Sequence, residues 1–206
     1  MSPRRYASPA RDAAAEETRL RLVAAATRLL RKSASDGVSL DAVAKAAGVT
    51  RLTVYNQFGS RRGLLEAVFD ERAREGGLFR LADAVNLADP RAGFDRVIEI
   101  FCDFWSFDPS VGRLHLVADA EFKGAVAERN ERRRKVIATL VRRMEGCAED
   151  GAALDLVDTL FALTSYPMFG MLLVNGRSAA DVRALIKAIC DSAIACAMGA
   201  GNAQTQ

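Results

Sequence analysis

Apolar residues recur at helical spacing along most of the chain, and no stretch shows the alternating β-branched pattern of a strand. The first helix is predicted over about residues 11–32, where one face carries apolar residues three or four positions apart. These residues are Leu22, Ala25, Ala26 and Leu29. This periodicity, together with abundant Ala and Leu and little proline after residue 9, predicts an all-α fold.

Two short helices are predicted next. Ser39 is a suitable N-cap for the stretch "SLDAVAKAA", and Gly48 supplies the permissive backbone that a tight corner needs. Thr50 caps the second short helix, over about residues 50–57, and a fourth helix begins near Arg61. Two short helices joined at a glycine and docked on a longer first helix form a helix-turn-helix.

Longer helices are predicted in the rest of the chain, separated by turn signals such as Gly-Gly, Asp-Pro and Asn-Gly. Their approximate bounds are 90–107, 108–116, 121–147, 154–174 and 178–198. The helix over 154–174 is apolar on nearly every side, so we expect it to be buried, and Pro167 is expected to kink it. The sequence "SAAD" provides a capping box for the last helix.

Charge is distributed unevenly along the chain. Residues 1–63 contain twelve Lys and Arg against five Asp and Glu, a net charge of +7, whereas residues 64–206 carry −4. A basic module followed by a mildly acidic remainder indicates that the first part meets a polyanion. A solvated charged face is the alternative, and the run "RNERRRK" at 129–135 is interpreted as such a face.

Residues that would support catalysis or metal binding are sparse. One histidine and four widely spaced cysteines give no basis for a metal site, and neither a metal nor a cofactor is expected. We find no Ser-His-Asp set and no glycine-rich phosphate loop, so an enzyme is not expected. No segment approaches the ~20 apolar residues of a membrane span, and the opening residues lack the apolar core of a secretory signal. We therefore expect no membrane association and a cytoplasmic location.

The outward side of the second short helix carries side chains that suit DNA. Eight helical residues extend about 12 Å, close to the width of the major groove. Arg51 can hold a guanine or a phosphate, and Asn56 can pair with adenine. Arg61 begins a helix, where a cation is poorly placed unless a phosphate lies nearby. The predicted DNA-binding residues are Ser39, Thr50, Arg51, Leu52, Thr53, Tyr55, Asn56, Gln57 and Arg61.

Residues 19–68 resemble the N-terminal DNA-binding domain of the TetR family of transcriptional regulators. The resemblance is carried by the stretches "RLVAAATRLL", "GVSLDAVAKAAGVT", "TVYNQF" and "SRRGLLEAV". The matching positions are Gly48, Val49, Thr50, Thr53, Tyr55, Phe58, Ser60, Leu64 and Leu65. Departures from the family pattern are Leu52, Val54, Arg61, Arg62 and Gly63, so the operator sequence of a relative cannot be transferred to this chain.

The resemblance implies a division of the chain and a way of working. The implied parts are a DNA-binding domain at 19–63 and a helical ligand-binding and dimerisation domain at 64–200. From their own residues, 1–18 are expected to form a flexible arm and 201–206 a tail. The chain would form a homodimer through the helices at about 154–174 and 178–198. Because one eight-residue helix contacts too few bases to specify a site, two-fold symmetry supplies the second half-site. The expected role is that of a transcriptional repressor that binds double-stranded operator DNA.

The resemblance further implies a small-molecule effector enclosed by the helices of the second domain. Large residues at helical spacing are the candidates for its pocket, and ordinary core packing is the alternative for each of them. These candidates are Phe101, Phe104, Trp105, Phe107, His115, Phe122, Tyr166, Met168 and Phe169.

Three other interpretations remain open at this point. A transcriptional activator of the same fold would carry the same sequence features. An all-helical enzyme would need a catalytic group, which the residues do not offer. A helical protein-interaction module would need an outward apolar stripe, whereas the second short helix presents Arg, Thr, Tyr and Asn.

Overall fold

A computed structural model describes residues 9–32, 38–110, 112, 120–144 and 151–203 of the 206-residue chain. These ranges are helical with short connections and contain no strand, so the all-α prediction is confirmed. The helices are α1 (Pro9–Lys32), α2 (Leu40–Ala47), α3 (Arg51–Phe58), α4 (Arg61–Glu75), α5 (Leu81–Asn86), α6 (Pro90–Phe107), α7 (Ala120–Arg143), α8 (Gly151–Leu163), α9 (Tyr166–Leu172) and α10 (Ala179–Ala203). Among the described residues, no helix has both the length and the apolar character to cross a membrane.

The chain divides into two compact units, Met1–Glu71 and Arg72–Gln206. The division falls inside α4, later in the chain than the boundary predicted between residues 63 and 64. Helix α4 continues without interruption across this point, so no turn signal or change in composition marks it in the sequence.

The short helices of the first unit begin and end at the residues predicted for them. Ser39 Oγ accepts a hydrogen bond from the Ala42 amide at 3.1 Å, which satisfies one of the free amides at the start of α2. Gly48 ends α2 in the left-handed conformation at φ +69°, which glycine adopts without strain. Thr50 caps α3 by accepting from the Thr53 amide at 3.2 Å. Local hydrogen bonds thus fix the turn between α2 and α3.

A common apolar core holds the first three helices together, with α1 packed on α2 and α2 packed on α3. Val54 is the fully buried residue through which α3 enters this core. Phe58, also predicted to face inward, is half-buried and lies under the Arg19 guanidinium, whose Cζ is 4.9 Å from the ring centroid. The other buried apolar residues of α1, α2 and their connection are Leu22, Val23, Ala25, Ala26, Leu30, Val38, Val43 and Ala44.

The first helix begins earlier than predicted. Helix α1 starts at Pro9, so residues 9–18, which were assigned to a flexible arm, are helical. Proline is compatible with the first turn because its missing amide would have no helical partner there, and three alanines at 13–15 favour helix. The arm prediction is therefore wrong for residues 9–18, and residues 1–8 lie outside the described ranges.

Helix α6 is the central element of the second unit, where it contacts α5, α7, α9 and α10. It begins at Pro90 and ends at Phe107, as predicted, and Asp89 Oδ1 accepts from the Arg91 amide at 2.8 Å. Its buried side chains are Phe94, Val97, Ile98, Ile100, Phe101, Cys102, Phe104 and Trp105. Close packing on the other helices follows from this nearly continuous apolar surface.

The segment between α4 and α6 contains structure that was not predicted. A 3-10 turn at Leu78–Arg80 leads into the six-residue helix α5. At the end of α5, the Arg143 guanidinium of α7 donates to the carbonyls of Val85, Leu87 and Ala88. A helix this short has little stability of its own, and its final carbonyls are satisfied from another helix, so its sequence carries almost no signal.

The single helix predicted over 154–174 is two helices in the structure. Helix α8 ends at Leu163, and Ser165 caps α9 by accepting from the Met168 amide at 3.4 Å. Pro167 occupies the second position of α9, where the lack of an amide proton is tolerated. The prediction of one kinked helix is wrong because Pro167 belongs to a helix start.

The last helix begins as predicted and ends later. The Asp181 amide donates to Ser178 Oγ at 3.1 Å, and the Ser178 amide donates to Asp181 Oδ2 at 3.0 Å, which is a capping box. The Ser178 hydroxyl also donates to Asp181 Oδ2 at 2.7 Å, and this bond together with that from the Ser178 amide lowers the pKa of the Asp181 carboxyl. Helix α10 runs to Ala203, so residues 201–203 of the predicted tail are helical. Residues 204–206, most of the predicted helix over 108–116, and the end of the one over 121–147 lie outside the described ranges.

Gly93 gives a test of the packing of α6 on α5. A Cβ at this position would lie 2.7 Å from the Ala84 carbonyl oxygen and 2.9 Å from Leu140 Cδ2. Because a backbone carbonyl cannot move aside cheaply, Gly93→Ala should destabilise the protein by about 1–3 kcal/mol. Urea or thermal unfolding measures this loss. Gly170→Ala is the matched control, since its Cβ would meet only Tyr166 Cζ at 4.0 Å. A control variant as unstable as Gly93→Ala would contradict the packing argument.

Candidate nucleic-acid interface and effector site

Helix α3 presents one polar side to solvent. Arg51, Leu52, Tyr55 and Asn56 are exposed, with Leu52 at 66% and Tyr55 at 55%, whereas Val54 is fully buried. Thr53 and Gln57 are half-buried along the edges of this surface. Leu52 and Tyr55 are large side chains that do not pack into the core of the unit. Their exposure beside polar residues indicates a surface that is available to a partner.

The start of α3 is held by its own side chains. Thr50 Oγ1 and Thr53 Oγ1 share a hydrogen bond of 2.9 Å in addition to the cap. Arg51 Nε lies 3.7 Å from Asp41 Oδ2 of α2, and both side chains are more than two-thirds exposed. An exposed pair of this kind adds little stability, so a phosphate can take the place of Asp41 at little cost.

Two predicted phosphate-binding residues have structural roles. Arg61 is half-buried, and its Nε donates to the Val38 carbonyl at 2.8 Å, which joins the start of α4 to the residue before the α2 cap. Ser39 Oγ is engaged by the Ala42 amide. A phosphate contact at Ser39 would therefore use backbone amides at the start of α2.

Four of the predicted pocket residues form one aromatic cluster in the second unit. The ring centroids of Phe101 and Phe104 lie 6.1 and 4.8 Å from that of Trp105, and the Tyr166 ring is edge-on to Trp105 at 5.5 Å. Phe101, Phe104 and Trp105 are buried, and Tyr166 is half-buried. Such pairs stabilise a core beyond their buried area.

The polar end of Trp105 reaches the break between α8 and α9. Its indole Nε1 donates to the Thr164 carbonyl at 3.2 Å, and Thr164 Oγ1 donates to the Leu160 carbonyl at 2.9 Å. The backbone polar groups freed by the break are thus bonded inside the core. The break and the aromatic cluster form one site.

The other predicted pocket residues are dispersed. Phe169 is fully buried, Met168 is half-buried, and Phe122 is buried with the Arg129 Cζ 5.9 Å from its ring centroid. Phe107 is 45% exposed. His115 lies outside the described residues.

A cleft of about 340 Å³ opens between the end of α6 and the start of α10. Phe107 is its one lining residue from the predicted set, and the others are Cys102, Asp103, Ser106, Ala179 and Arg183. The Asp103 carboxylate accepts from Arg80 and from Arg183, each at 3.3 Å. Burial raises the pKa of the Cys102 thiol to about 12, so it remains protonated and unreactive at neutral pH.

Arg133 of α7 corrects the interpretation of the run at 129–135 as a solvated face. Its side chain is 7% exposed, and its Cζ lies 4.0 Å from the Phe161 ring centroid and 5.7 Å from that of Phe101. Burial lowers the pKa of Arg133 to about 10, and the charge of Arg134 contributes to the same shift. A sequence signal existed, because Arg133 falls on the helical stripe that includes Val126 and Ile137.

The described residues contain no group of His, Cys, Asp and Glu that could hold a metal ion. The candidate site is therefore the exposed side of α3, a capped helix within a helix-turn-helix. The chain also contains a second helical unit. This combination defines a helix-turn-helix DNA-binding regulator.

Comparison with known proteins agrees with this class. Residues 22–68 match the family model described as "Bacterial regulatory proteins, tetR family". The chain is 32% identical over 168 residues to the HTH-type transcriptional regulator EthR of Mycolicibacterium smegmatis, a match covering 79% of this chain and 73% of that protein. This chain belongs to the TetR family, and it is a TetR-like transcriptional regulator.

Solved structures share the fold. A tetR-family regulator from Streptomyces coelicolor has a TM-score of 0.66 at 21% identity, covering 90% of this chain and 86% of that one. A putative transcriptional regulator from Saccharomonospora viridis, solved in complex with choline, has a TM-score of 0.64 at 20% identity, covering 85% and 96%.

The exposed residues of α3 give a test of base recognition. We expect Arg51→Ala and Asn56→Ala each to cost about 1–3 kcal/mol at the preferred operator and to relax base preference at one position of each half-site. Selection of binding sites from random duplex DNA, followed by anisotropy titration, measures both effects. Arg96→Ala on α6, which removes an exposed arginine of the second unit, is the control. Unchanged preference in both α3 variants would contradict this docking mode.

Proposed function

We propose that this chain is a homodimeric transcriptional repressor that works in the cytoplasm, binds duplex operator DNA through α3, and is released by a small-molecule effector. The observation that carries the DNA-binding mode is the outward row of Arg51, Tyr55 and Asn56 on a helix anchored by Val54. Eight residues of helix match the width of the major groove, and the N-terminal end of such a helix contacts base edges.

The electrostatics of the first unit support the same mode. Residues 1–63 carry a net charge of +7, and the exposed cations of α1 and α2 include Arg21, Arg28 and Lys45. Exposed side chains of this length can move toward phosphates, which supply most of the affinity in non-specific binding. Lys45 was not among the predicted contacts, although its place in the last turn of α2 is a phosphate-facing position in helix-turn-helix docking.

The outer surface of α10 supports dimer formation. Along this helix the exposed residues past its first turn are mostly small or apolar: Ala184, Ala188, Ile189, Ser192, Ala195 and Cys196. Nearby in sequence, Met171 of α9 and the following Val174 are 62% and 56% exposed, although the segment was predicted to be buried. A second copy of the chain would cover such surfaces, and closely approaching helices favour small residues.

An effector that favours a different state of the dimer would release it from DNA. The two half-sites must match successive major grooves, so a state with another spacing binds DNA weakly. By linkage, DNA must then weaken effector binding by the same factor. The choline of the Saccharomonospora protein is not transferred to this chain. A quaternary ammonium carries a positive charge, which the Arg133 guanidinium beside Phe101 and Phe161 would repel.

Repression is the family tendency on which this proposal relies, and an activator would use the same surfaces. No feature of the described residues favours the all-helical enzyme.

Salt dependence tests phosphate-driven docking. We expect the logarithm of the association constant to fall linearly with the logarithm of salt concentration, with a slope of about −0.9 for each neutralised phosphate. Anisotropy with labelled duplex DNA at several salt concentrations measures the slope. Lys45→Ala should reduce its magnitude by about one unit if this residue contacts a phosphate. Affinity that does not respond to salt would contradict the proposal.

Ala188→Glu tests the dimer surface. A carboxylate at the centre of the exposed stripe of α10 would be desolvated in the interface, so we expect monomers at concentrations where the wild type is dimeric. Light scattering coupled to size exclusion gives the mass of each species. Ala127→Glu places the same charge on an exposed alanine of α7 and should remain dimeric. A monomeric wild type, or an Ala188→Glu variant that is still a dimer, argues against this interface.

A further inference from the structure

We propose that Arg133 is the anion-recognition group of the effector site and that the effector is an organic acid whose carboxylate pairs with this guanidinium. The inference rests on the proposed function, because it assumes that the second unit contains an effector site. It adds the chemical class of the ligand and the residue that selects it.

The first observation is a buried cation that has no carboxylate partner within the part of the chain that the structure describes. Arg133 is 7% exposed, and no Asp or Glu among the described residues forms an ion pair with it. Its neighbour Arg134 is 39% exposed and pairs with Asp158. A charge removed from water without a partner costs free energy, so a protein retains one where a charged partner arrives.

The second observation is that the surroundings attract Arg133 without neutralising it. Phe161 and Phe101 present ring faces to the guanidinium at 4.0 and 5.7 Å, and these contacts leave its charge in place. Its hydrogen bond within the described residues joins Nη1 to Thr164 Oγ1 at a long 3.5 Å. A guanidinium has five N–H donors in a fork that fits a carboxylate, and the donors other than the one directed at Thr164 are those that a bound carboxylate would use.

Arg133 is not required to complete the helix break beside it. Thr164 Oγ1 already donates to the Leu160 carbonyl at 2.9 Å, and the Thr164 carbonyl already accepts from Trp105. A shorter polar residue or Met at position 133 would leave those bonds intact. The contributions of Arg133 that remain are its packing on the two rings and its charge, and only the charge distinguishes it from Met.

The aromatic cluster defines the rest of the ligand. Phe101 and Phe161 lie beside Arg133, and Phe101 stacks on Trp105 with their ring centroids 6.1 Å apart. Large aromatic side chains bind aryl and alkyl groups through buried area. An arylalkanoic or medium-chain alkanoic acid combines a carboxylate for Arg133 with an apolar part for these rings.

Trp105 provides a direct readout of this site. It is the single tryptophan of the chain, and its indole donates to Thr164, the residue whose hydroxyl contacts Arg133. We would titrate the full-length protein with 4-phenylbutyrate and with octanoate, each against its neutral primary amide, and follow tryptophan fluorescence and the unfolding temperature. DNA is absent from these titrations.

We expect at least one acid to bind at least about tenfold more tightly than its amide. Arg133→Gln should remove this preference by weakening the acid and leaving the amide within about twofold. Arg133→Met, which fills the space without a charge, is the second variant if the glutamine protein is unstable. Arg134→Gln is the matched control, because Arg134 lies 4.6 Å from the same Phe161 ring yet has its own carboxylate partner. It should retain the preference.

The proposal is overturned if no acid changes the fluorescence or unfolding temperature up to about 10 mM, if acid and amide bind equally, or if Arg133→Gln retains the preference. Equal losses in Arg133→Gln and Arg134→Gln also overturn it, since they would reflect general electrostatics. Anisotropy with operator DNA separates the two proposals. An acid that binds through Arg133 without changing DNA affinity upholds the anion site and refutes the effector role.

Discussion

Helix α3, which carries the predicted DNA contacts, is stable only because it packs on other helices. Helices α2 and α3 have eight residues each, and a helix shorter than about 12–15 residues is marginal by itself in water. Val54 anchors α3 in the core, and the caps at Ser39, Gly48 and Thr50 satisfy the ends on either side of the turn. Because α3 is anchored by its inward side and its ends, its outward side chains are available for contact with a partner. The chemistry of this surface therefore depends on packing behind it.

Local features of the structure could be predicted from the sequence, and features set by distant side chains could not. The caps and turns of the first unit depend on residues within a few positions of one another, so their identities were sufficient. Helix α5 depends on Arg143, which lies far along the chain. The exposed row of α3 follows from helical spacing, whereas the hydrogen bond from Arg61 to the Val38 carbonyl joins two helix starts and left no trace in the pattern. The predicted DNA contacts stay predictions.

The second unit concentrates its internal polarity at one place. The break between α8 and α9 brings together polar atoms of Trp105, Arg133 and Thr164. These atoms lie among aromatic rings. Two predictions from the sequence were wrong in this region. The charged run at 129–135 was interpreted as a solvated face, and the apolar segment at 154–174 was predicted to be one helix. The charged run was misjudged because composition averages over a helix, whereas each residue takes the environment of its own position on the helix surface. The apolar segment was misjudged because Ser165 and Pro167 start a new helix within it.

The opposite charges of the two parts of the chain bear on how this regulator finds its target. Most encounters are with unrelated DNA, which carries the same phosphates as the operator. The +7 of residues 1–63 draws that part toward any duplex, and the −4 of the remainder is repelled within the Debye length of about 8 Å. We therefore expect encounters with DNA through the basic part to last longer than encounters through the remainder of the chain, so that electrostatics favour the DNA-binding orientation before any base is recognised.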